Sequence, residues 1–559
     1  MGNIGQSKRC LLGSTAVCLS LFCFDHGAYA FTHTFDNGIV IRFDNTMQYS
    51  LTERVAPESS YFADSPNVND GDNNLRAGIV SNRFDLLTTF DISDNGYGFD
   101  ASVDSFYDTV YNQKTQNQSG ATYNPAQQPF DKFTSATQTE AGRNIELRNL
   151  FIYGSNSIAG VPVTLRVGRL ANLFGESLLF ATNGIAYGQA PIDIERAATV
   201  PNTQAKDLFL PVGQALFSAQ LSDSVSVSAY YQFEWEKFNF TPAGGYFSTV
   251  DLLDEGGERI FAGAISPYLN SANPGSALYF YRANDLKGSD TGQFGAALHY
   301  DPAGSPWDFG FYALQYNDSE PQVYTNVKAG APTLVKGTAP GSPAAYSLGT
   351  YQVVYANGIQ IYGASASTTI GALNLAGEAS VRANEDLRSS VTLLPGQTAG
   401  NNEGDAAYAI GDVAHYQVSE IYLGPKIPGI WDGSQVIGEV AGENLFAISK
   451  NKDNFDRVDS QHMALGLRTV VSASYYQVIP GLDLTPSIGL GWNFMGKSPD
   501  SDGFNNTGIN HGGDLTLGVG LTYLNRWTGG IDYTYYIGPP ATDPLADRDF
   551  VSFNVERTF

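Results

Sequence analysis

The sequence predicts an all-β protein, a transmembrane antiparallel β-barrel of about 18 strands, with 16 strands as the alternative count. Apolar and polar residues alternate along many segments, and this pattern gives a strand one apolar and one polar face. Short and long connections alternate between these segments, as they do at the two ends of an outer-membrane barrel. After residue 30, no apolar run reaches the roughly 20 residues that a membrane-spanning helix needs. Together these observations favour a barrel over a soluble sandwich or a helical membrane protein.

The first 30 residues have the features of a cleavable signal peptide and are set apart from the fold. Lys8 and Arg9 precede an apolar stretch that is too short to cross a bilayer as a helix. The motif Ala28-Tyr29-Ala30 then fits the small residues that signal peptidase requires. We therefore expect export and a mature barrel over residues 31–559. Every cysteine would be removed with the signal peptide, namely Cys10, Cys18 and Cys23.

Eighteen segments of the remaining chain carry the two-residue alternation of strands. In the first of them, Ile41 and Phe43 lie on one face, opposite Arg42 and Asp44. Many of the segments are long enough to cross a bilayer as tilted strands, which takes roughly 9–11 residues. The segments cover residues 38–54, 78–93, 97–111, 145–157, 161–170, 214–221, 225–238, 291–300, 307–317, 351–366, 372–384, 415–423, 434–445, 462–477, 482–494, 514–524, 527–537 and 549–559.

The connections between these segments predict which end of the barrel faces the periplasm. Eight short connections alternate with nine long ones, so that both chain ends lie on the short-turn side. In outer-membrane barrels the short turns are periplasmic and the long loops are external. The last segment ends at Phe559 and resembles the C-terminal signal that outer-membrane assembly machinery reads. Arg557 departs from that signal, but a charge near the interface costs only about 0–1 kcal/mol.

Composition and charge exclude several classes of function. The net charge of −25 and the absence of a basic stripe exclude nucleic acid as a partner. The histidines are scattered and no G-x-S-x-G motif occurs, so we predict neither an enzyme nor a cofactor. Residues 67–74 are rich in Asp and Asn but lack the downstream Glu of a calcium loop. They predict a solvated turn and no metal site.

Charged residues of both signs fall on the predicted polar faces, which line the lumen of a barrel. One interpretation is a pore lining that selects solutes. The alternative is a network of paired charges that braces the wall. The residues concerned are Arg42, Asp44, Arg83, Asp85, Asp104, Arg166, Glu378, Arg382 and Arg468.

Residues 171–213 form a long connection that is much less polar than the other long loops. Exposed loops rarely carry so much apolar surface. We therefore expect this segment, with a short helix near residues 192–200, to fold into the lumen as a constriction or an apolar binding site. An external cap that packs on itself is the alternative. The side chains expected along a substrate path are Phe174, Leu178, Phe180, Ile185, Ile192 and Phe209.

Several stretches resemble a proteobacterial barrel family catalogued as domain of unknown function 1302 (DUF1302). They include Phe43-Asp44-Asn45-Thr46, Leu165-Arg166-Val167-Gly168-Arg169, Phe174-Gly175-Glu176-Ser177, Gly188-Gln189-Ala190-Pro191 and Leu208-Phe209-Leu210-Pro211. The third stretch departs from the family in having Phe174 where a Trp is expected before Gly-Glu-Ser. The resemblance implies an outer-membrane barrel that handles hydrophobic compounds such as steroids or terpenoids. It also implies a nearby RND-type inner-membrane transporter and a periplasmic lipid-carrier-like protein. It assigns no catalytic residues to this sequence.

The predicted function is therefore an outer-membrane channel or receptor for hydrophobic or amphipathic small molecules. Its expected partners are the outer-membrane lipid bilayer and the hydrophobic solute itself. Two alternatives remain at this point. One is a general diffusion porin for polar solutes, which requires an open, water-filled lumen. The other is a non-transporting outer-membrane partner of a trans-envelope RND-type complex.

Overall fold

A computed structural model describes residues 31–118, 129–200, 208–253, 255–264, 276–335, 344–397, 400–500 and 510–559. The expected signal peptide, residues 1–30, lies outside the described residues. Within them the chain forms 25 strands: β1 (Phe31–Thr34), β2 (Val40–Arg54), β3 (Gly78–Asp94), β4 (Tyr97–Asp108), β5 (Arg143–Ile158), β6 (Val161–Leu170), β7 (Val212–Ser222), β8 (Val225–Gln232), β9 (Arg259–Ala264), β10 (Ala277–Arg282), β11 (Gln293–Tyr300), β12 (Trp307–Tyr316), β13 (Pro321–Val327), β14 (Thr333–Leu334), β15 (Ala345–Tyr355), β16 (Ile359–Ile370), β17 (Leu373–Asp386), β18 (Val391–Leu393), β19 (Ile410–Gly424), β20 (Gly433–Lys450), β21 (Met463–Ile479), β22 (Leu482–Gly496), β23 (Gly512–Tyr523), β24 (Trp527–Ile537) and β25 (Phe550–Thr558).

Helical segments are short and few in the described part of the chain. They cover Ser60–Ala63, Asp70–Asn74, Ser135–Thr137, Gln138–Gly142, Ile185–Gly188, Ile194–Thr199 and Lys452–Asn454. Among the residues described, no helix has the length and apolar character needed to cross a membrane.

Eighteen of the strands pair antiparallel into one closed barrel, which confirms the predicted fold class and strand number. The ring runs β2 to β8, then β11, β12, β16, β17 and β19 to β25, and β25 pairs back with β2. The closing seam joins nine residue pairs, from Thr46 with Thr558 to Arg54 with Phe550. Closure leaves no unpaired strand edge, which a barrel needs in order to sit in lipid. β1 adds a short hairpin to β2 at the short-turn end.

The polarity of the wall is inverted relative to a soluble protein. The most buried strand residues include polar ones, such as Ser50 at 0% exposure and Glu439 at 1%. Residues on the other face of the wall are apolar and exposed, as Val418 at 64% and Ile145 at 77% show. An apolar outer surface around a polar interior is the arrangement that hydrocarbon requires of a barrel.

Exposed aromatic residues mark the two edges of this apolar surface. Tyr97 begins β4 at the short-turn end and Tyr107 lies near its other end, both with side chains about half exposed. Ten residues of strand span roughly 33 Å. At the usual tilt of a barrel strand this becomes roughly 25 Å, the height of the apolar band of outer-membrane barrels.

At the C-terminus, the Arg557 guanidinium stacks on Trp527 and Phe559. Its central carbon lies 4.9 Å and 4.5 Å from the two ring centres.

A second sheet of six strands lies at the long-loop end and was not predicted. Its order is β18-β13-β15-β10-β9, with β14 also paired to β15. The strands come from the connections that follow β8, β12 and β17. We call it the cap sheet. Its packing centres on Tyr351, Val353 and Tyr355, and Trp235 from the chain after β8 packs against this cluster.

Two local predictions are wrong. The single strand predicted for residues 351–366 is two strands, since Tyr351–Tyr355 belongs to the cap sheet and the barrel strand starts at Ile359. Gly358, with a φ of +81°, turns the chain between them. The solvated turn predicted for residues 67–74 is a buried helix over Asp70–Asn74. It is buried because Asp72 pairs with Arg54 and Arg548 from the two strand ends beside the closing seam.

Candidate functional site

The inserted segment, residues 171–213, lies against the inner face of the barrel wall in its described parts, 171–200 and 208–213. Asn183 donates from Nδ2 to Gln417 Oε1 at 3.0 Å. Gln417 is buried, whereas the next residue on β19, Val418, faces outward. The helix expected near residues 192–200 is present over Ile194–Thr199, and the Asp193 side chain caps it by accepting from Arg196 N at 3.1 Å.

Two buried glutamates on the wall bind backbone amides of this segment. Glu439 on β20 accepts from Leu178 N at 3.1 Å, from Phe180 N at 2.9 Å and also from the amide between them. Glu378 on β17 accepts from Glu176 N at 2.5 Å and from Ile185 N at 2.9 Å. Carboxylates that accept several amide protons form strong charge-assisted hydrogen bonds. The segment is therefore fixed to the wall at two points through its backbone.

Glycines in the wall leave the space that the segment occupies. A Cβ atom at Gly363 on β16 would lie 2.7 Å from Ile185 Cδ1. A Cβ atom at Gly466 on β21 would lie 3.2 Å from Phe180 Cε1. A side chain at Gly363 would force the end of the Ile185 side chain to shift, and one at Gly466 would crowd the Phe180 ring, because the interior is closely packed.

Aromatic residues from the wall and the segment pack together inside the barrel. The Phe174 ring lies 5.7 Å from Tyr230 of β8 and 5.8 Å from Tyr312 of β12, measured between ring centres. Tyr187 packs edge-on against Tyr316, and its hydroxyl donates to Asp318 Oδ1 at 2.6 Å. These contacts place a packed cluster of aromatic side chains across part of the lumen.

The structure brings four of the six predicted path residues into one buried cluster and separates the other two. Phe174, Ile185, Ile192 and Phe209 belong to that cluster. Phe180 is also buried, but it packs with Ala441 and Ala464 of β20 and β21. Leu178 is half-buried between the two groups.

Ion pairs join five of the nine predicted lumenal charges. Arg83 binds Asp85 at 2.8 Å and stacks on Phe106. Asp104 binds Arg196 of the inserted segment. A small polar cavity beside this pair is lined by Arg83, Asp104, Phe106, Glu140, Asn144, Glu146, Asp193, Glu195, Arg196 and Asn239.

The remaining predicted charges fall into three groups. Arg382 binds Glu385 at 3.0 Å, and Arg468 binds Asp514 at 2.8 Å. Glu378 binds the inserted segment, as described above. Within the described residues, no ion pair involves the other three, which are Arg42, Asp44 and Arg166.

Burial raises the pKa of a carboxyl in the inserted segment. Glu195 on the short helix is buried, and this burial raises its pKa well above the ordinary value despite the nearby charge of Arg83. Its Oε1 accepts no hydrogen bond among the described residues.

Sequence reasoning missed Glu439 and the glycines opposite the segment. Glu439 lies at an inward position between Gly438 and Val440, so its place on the polar face of β20 was visible in the alternation. Its amide partners were not visible, because they lie some 260 residues away in the chain. Gly363 and Gly466 gave no signal, since glycine is frequent throughout this sequence.

The family described as "Protein of unknown function (DUF1302)" matches this chain over residues 11–559. The chain belongs to the DUF1302 family. The resemblance seen in the sequence is therefore confirmed over nearly the whole chain. None of the curated proteins matches this DUF1302 chain in sequence.

Several solved structures of bacterial barrels are similar to this DUF1302 protein over most of their length. The outer membrane channel DcaP of Acinetobacter baumannii is 6% identical with a TM-score of 0.37, covering 94% of this chain and 99% of that one. OccAB4 of Acinetobacter baumannii is 10% identical with a TM-score of 0.43, covering 93% and 98%. Pseudomonas aeruginosa OpdK, solved with vanillate, is 9% identical with a TM-score of 0.41, covering 93% and 98%. The barrel assignment rests on the strand pairing, because these scores are low.

Proposed function

We propose that this DUF1302 protein is an outer-membrane channel for hydrophobic or amphipathic small molecules. The observation that carries the proposal is the aromatic and aliphatic cluster that the inserted segment builds inside a closed barrel. A general porin needs a water-filled lumen, and an apolar plug of this kind would obstruct polar solutes. An apolar solute can instead exchange protein contacts for its own contacts with the same side chains.

Passage through the barrel requires the inserted segment to move or rearrange. Ile185 is fully buried, and Phe174 and Phe209 are nearly so. The path that we propose follows Phe174, Ile185, Ile192 and Phe209, with Leu178 and Phe180 beside it. The amide contacts of Glu378 and Glu439 would hold the closed arrangement until a solute competes for the apolar surface.

The proposed location follows from the wall of the barrel and from the two ends of the chain. The apolar outer band supports insertion into a bilayer, and both described termini lie at the short-turn end. We propose export by the signal peptide over residues 1–30 and a periplasmic position for the short turns. An RND-type transporter and a periplasmic lipid-carrier-like protein are the partners that the family resemblance implies for that side.

Bilayer recordings combined with solute uptake test this function. We expect small steady currents from the refolded barrel and saturable uptake of a steroid-like probe into proteoliposomes. Phe174→Ala should change the uptake rate by several-fold, since its ring contacts both Tyr230 and Tyr312. Phe446→Ala, an exposed residue on the outer face of β20, is the matched control and should leave uptake unchanged.

The alternatives give different results in the same experiment. Large steady currents with unselective passage of sugars would support the general porin. The absence of both current and uptake would support the non-transporting partner. Either result would overturn the proposed channel for apolar solutes.

A further inference from the structure

Six buried acidic residues meet where the barrel wall joins the loops of the long-loop end. They are Asp318, Glu320, Glu385, Asp386, Glu443 and Asp500, each at most 7% exposed. Their charges act on one another, so they form one cluster. Arg382 supplies a buried positive charge at 3.0 Å from Glu385. Buried carboxylates persist in proteins when they are protonated, paired or bound to a metal ion, so a bound cation is one of the ways in which such a cluster is stabilised.

Three side chains of this region converge with metal-ligand geometry. Glu385 of β17, His415 of β19 and Asp500 of the loop after β22 offer ligand atoms that all lie within 4.8 Å of one another. His415 Nε2 lies 3.3 Å from Glu385 Oε2 and 3.9 Å from Asp500 Oδ2. Ligands of a tetrahedral zinc ion lie roughly 3.4 Å apart when the bonds are about 2.1 Å long. The separation between His415 and Glu385 matches this spacing, and the separation between His415 and Asp500 is longer, so Asp500 would move closer when an ion binds.

The hydrogen bonds around His415 orient the imidazole for metal binding. Asn183 uses its Nδ2 group to donate to Gln417 Oε1 at 3.0 Å and to the Tyr416 carbonyl at 3.3 Å. Its Oδ1 therefore faces His415 Nδ1, at 3.0 Å, and accepts a proton from it. Nε2 is then left with its lone pair directed at two carboxylates. An Nδ1–H held by an oxygen is the usual support of a metal-binding histidine, and it leaves Nε2 able to bind an ion.

Glu320 is another buried acid of the same cluster. Its Oε2 is buried and accepts no hydrogen bond among the described residues. A buried carboxylate oxygen without a hydrogen bond favours a cation nearby, because burial of an uncompensated charge is costly.

We propose that Glu385, His415 and Asp500 bind one divalent first-row transition-metal ion, for which Zn²⁺ is the probe. An imidazole ligand favours such ions over Ca²⁺ and Mg²⁺, which prefer sites built from oxygen alone. The site does not depend on which solute the barrel carries. The ion would tie the loop that contains Asp500 to strands β17 and β19.

The same ion would also stabilise the inserted segment. Asn183 belongs to that segment, and its partner Gln417 donates from Nε2 to Glu378 Oε1 at 3.0 Å. Glu378 in turn binds the amides of Glu176 and Ile185. A continuous hydrogen-bond chain thus connects the metal ligand His415 to the residues that hold the segment in place.

Titration of the full-length refolded barrel with Zn²⁺ tests the site. We expect one Zn²⁺ per chain, released by a chelator, and a Co²⁺ adduct with the visible bands of a nitrogen- and oxygen-ligated ion. His415→Gln and Glu385→Gln should each weaken Zn²⁺ binding by about 100-fold or more. His462→Gln, which alters an exposed histidine, is the matched control and should bind Zn²⁺ as the wild type does. Hydrogen exchange at residues 176–185 should slow when Zn²⁺ is added to the wild type.

Three results would overturn the proposal. One is the absence of stoichiometric binding by the wild type, a measurement that does not depend on the folding of any variant. Another is unchanged Zn²⁺ affinity in a His415→Gln barrel that keeps its heat-modifiable migration on gels. The third is equal affinity for Ca²⁺, which would show an unspecific acidic cluster. None of these results bears on the uptake experiment, which tests the proposed channel function independently of the metal site.

Discussion

Glu439 holds residues 178–180 of the inserted segment, because its carboxylate accepts from three consecutive amides. Glu439→Gln keeps the size of the side chain but replaces one acceptor oxygen with a donor. Each hydrogen bond to a charged group contributes about 1.5–3 kcal/mol. We expect amide exchange at residues 178–180 to accelerate at least tenfold and steady currents in bilayers to rise.

Glu420→Gln is the matched control for this substitution. Glu420 lies on the neighbouring strand, β19, and is exposed, so the same change of charge removes no contact with the segment. Unaltered exchange at residues 178–180 in Glu439→Gln would contradict the role that we give to Glu439.

Asp251 makes the loops above the barrel sensitive to pH. Its carboxylate accepts from Asn69 N at 2.9 Å, and burial raises its pKa to about 7. A carboxyl whose pKa is raised on folding stabilises the protein at low pH, and this stability is lost as the pH rises through the folded pKa. Between pH 6 and pH 8 the population of the open loop should therefore rise about tenfold.

Hydrogen exchange at the amides of residues 69 and 70, expressed as protection factors at the two pH values, measures this effect. Asp251→Asn keeps an oxygen that can accept these bonds and removes the titration, so its protection should no longer depend on pH in this range. Asp453→Asn changes an exposed loop carboxyl and should behave as the wild type. Equal pH dependence in the wild type and Asp251→Asn would contradict the assignment.

At the scale of elements, the cap sheet should unfold independently of the barrel. Tyr351 is fully buried in the cap sheet, and its hydroxyl donates to the Leu252 carbonyl at 3.0 Å. Removing a buried aromatic side chain costs about 3–5 kcal/mol. Tyr351→Ala should make the chain after β8 sensitive to protease, while the barrel keeps its heat-modifiable migration on gels.

Tyr362→Ala is the comparison for this prediction, because Tyr362 lies on the next strand with its side chain exposed. It should leave both the cap sheet and the barrel intact. Loss of the barrel in Tyr351→Ala would show that the two sheets fold as one unit.

The barrel strands could be predicted from alternation, whereas the cap sheet could not. A wall strand faces lipid on one side and polar groups on the other, so apolar and polar residues alternate along its sequence. β15 is buried on both faces near its end, at Val353 and Val354, so its alternation is lost. The Asn357-Gly358 pair was a visible turn signal that should have divided the predicted strand.

The candidate site was predictable only in part, for a related reason. The apolar composition of residues 171–213 indicated burial, and inward positions such as Glu378 followed from strand periodicity. The partners of these residues depend on how the loops fold back, and periodicity carries no information about loops. His415 and Asp500 are 85 positions apart, so their meeting at 3.9 Å is a property of tertiary structure alone.

At the scale of the whole molecule, the barrel closes where its first and last strands meet, and a buried ion network lies at the end of that seam. Arg54 ends β2, and Asp547 and Arg548 precede β25. Asp72 binds Arg54 at 2.9 Å and also binds Arg548, while Asp547 lies 3.1 Å from Arg54. Both guanidiniums lie beside the ring of Tyr246, so the network is shielded from water as well as paired.

Removing the acid at the centre of this network should therefore open the seam first. Asp72→Asn leaves two buried guanidiniums with a single neighbouring carboxylate, and breaking a buried ion pair costs about 3–5 kcal/mol. We expect the free energy of unfolding in urea to fall by about that amount, with exchange accelerating first in β2 and β25. Asp64→Asn, an exposed acid in the same loop, should have the stability of the wild type. If Asp72→Asn proved as stable as Asp64→Asn, the nine residue pairs of the seam would suffice to close the barrel without the network.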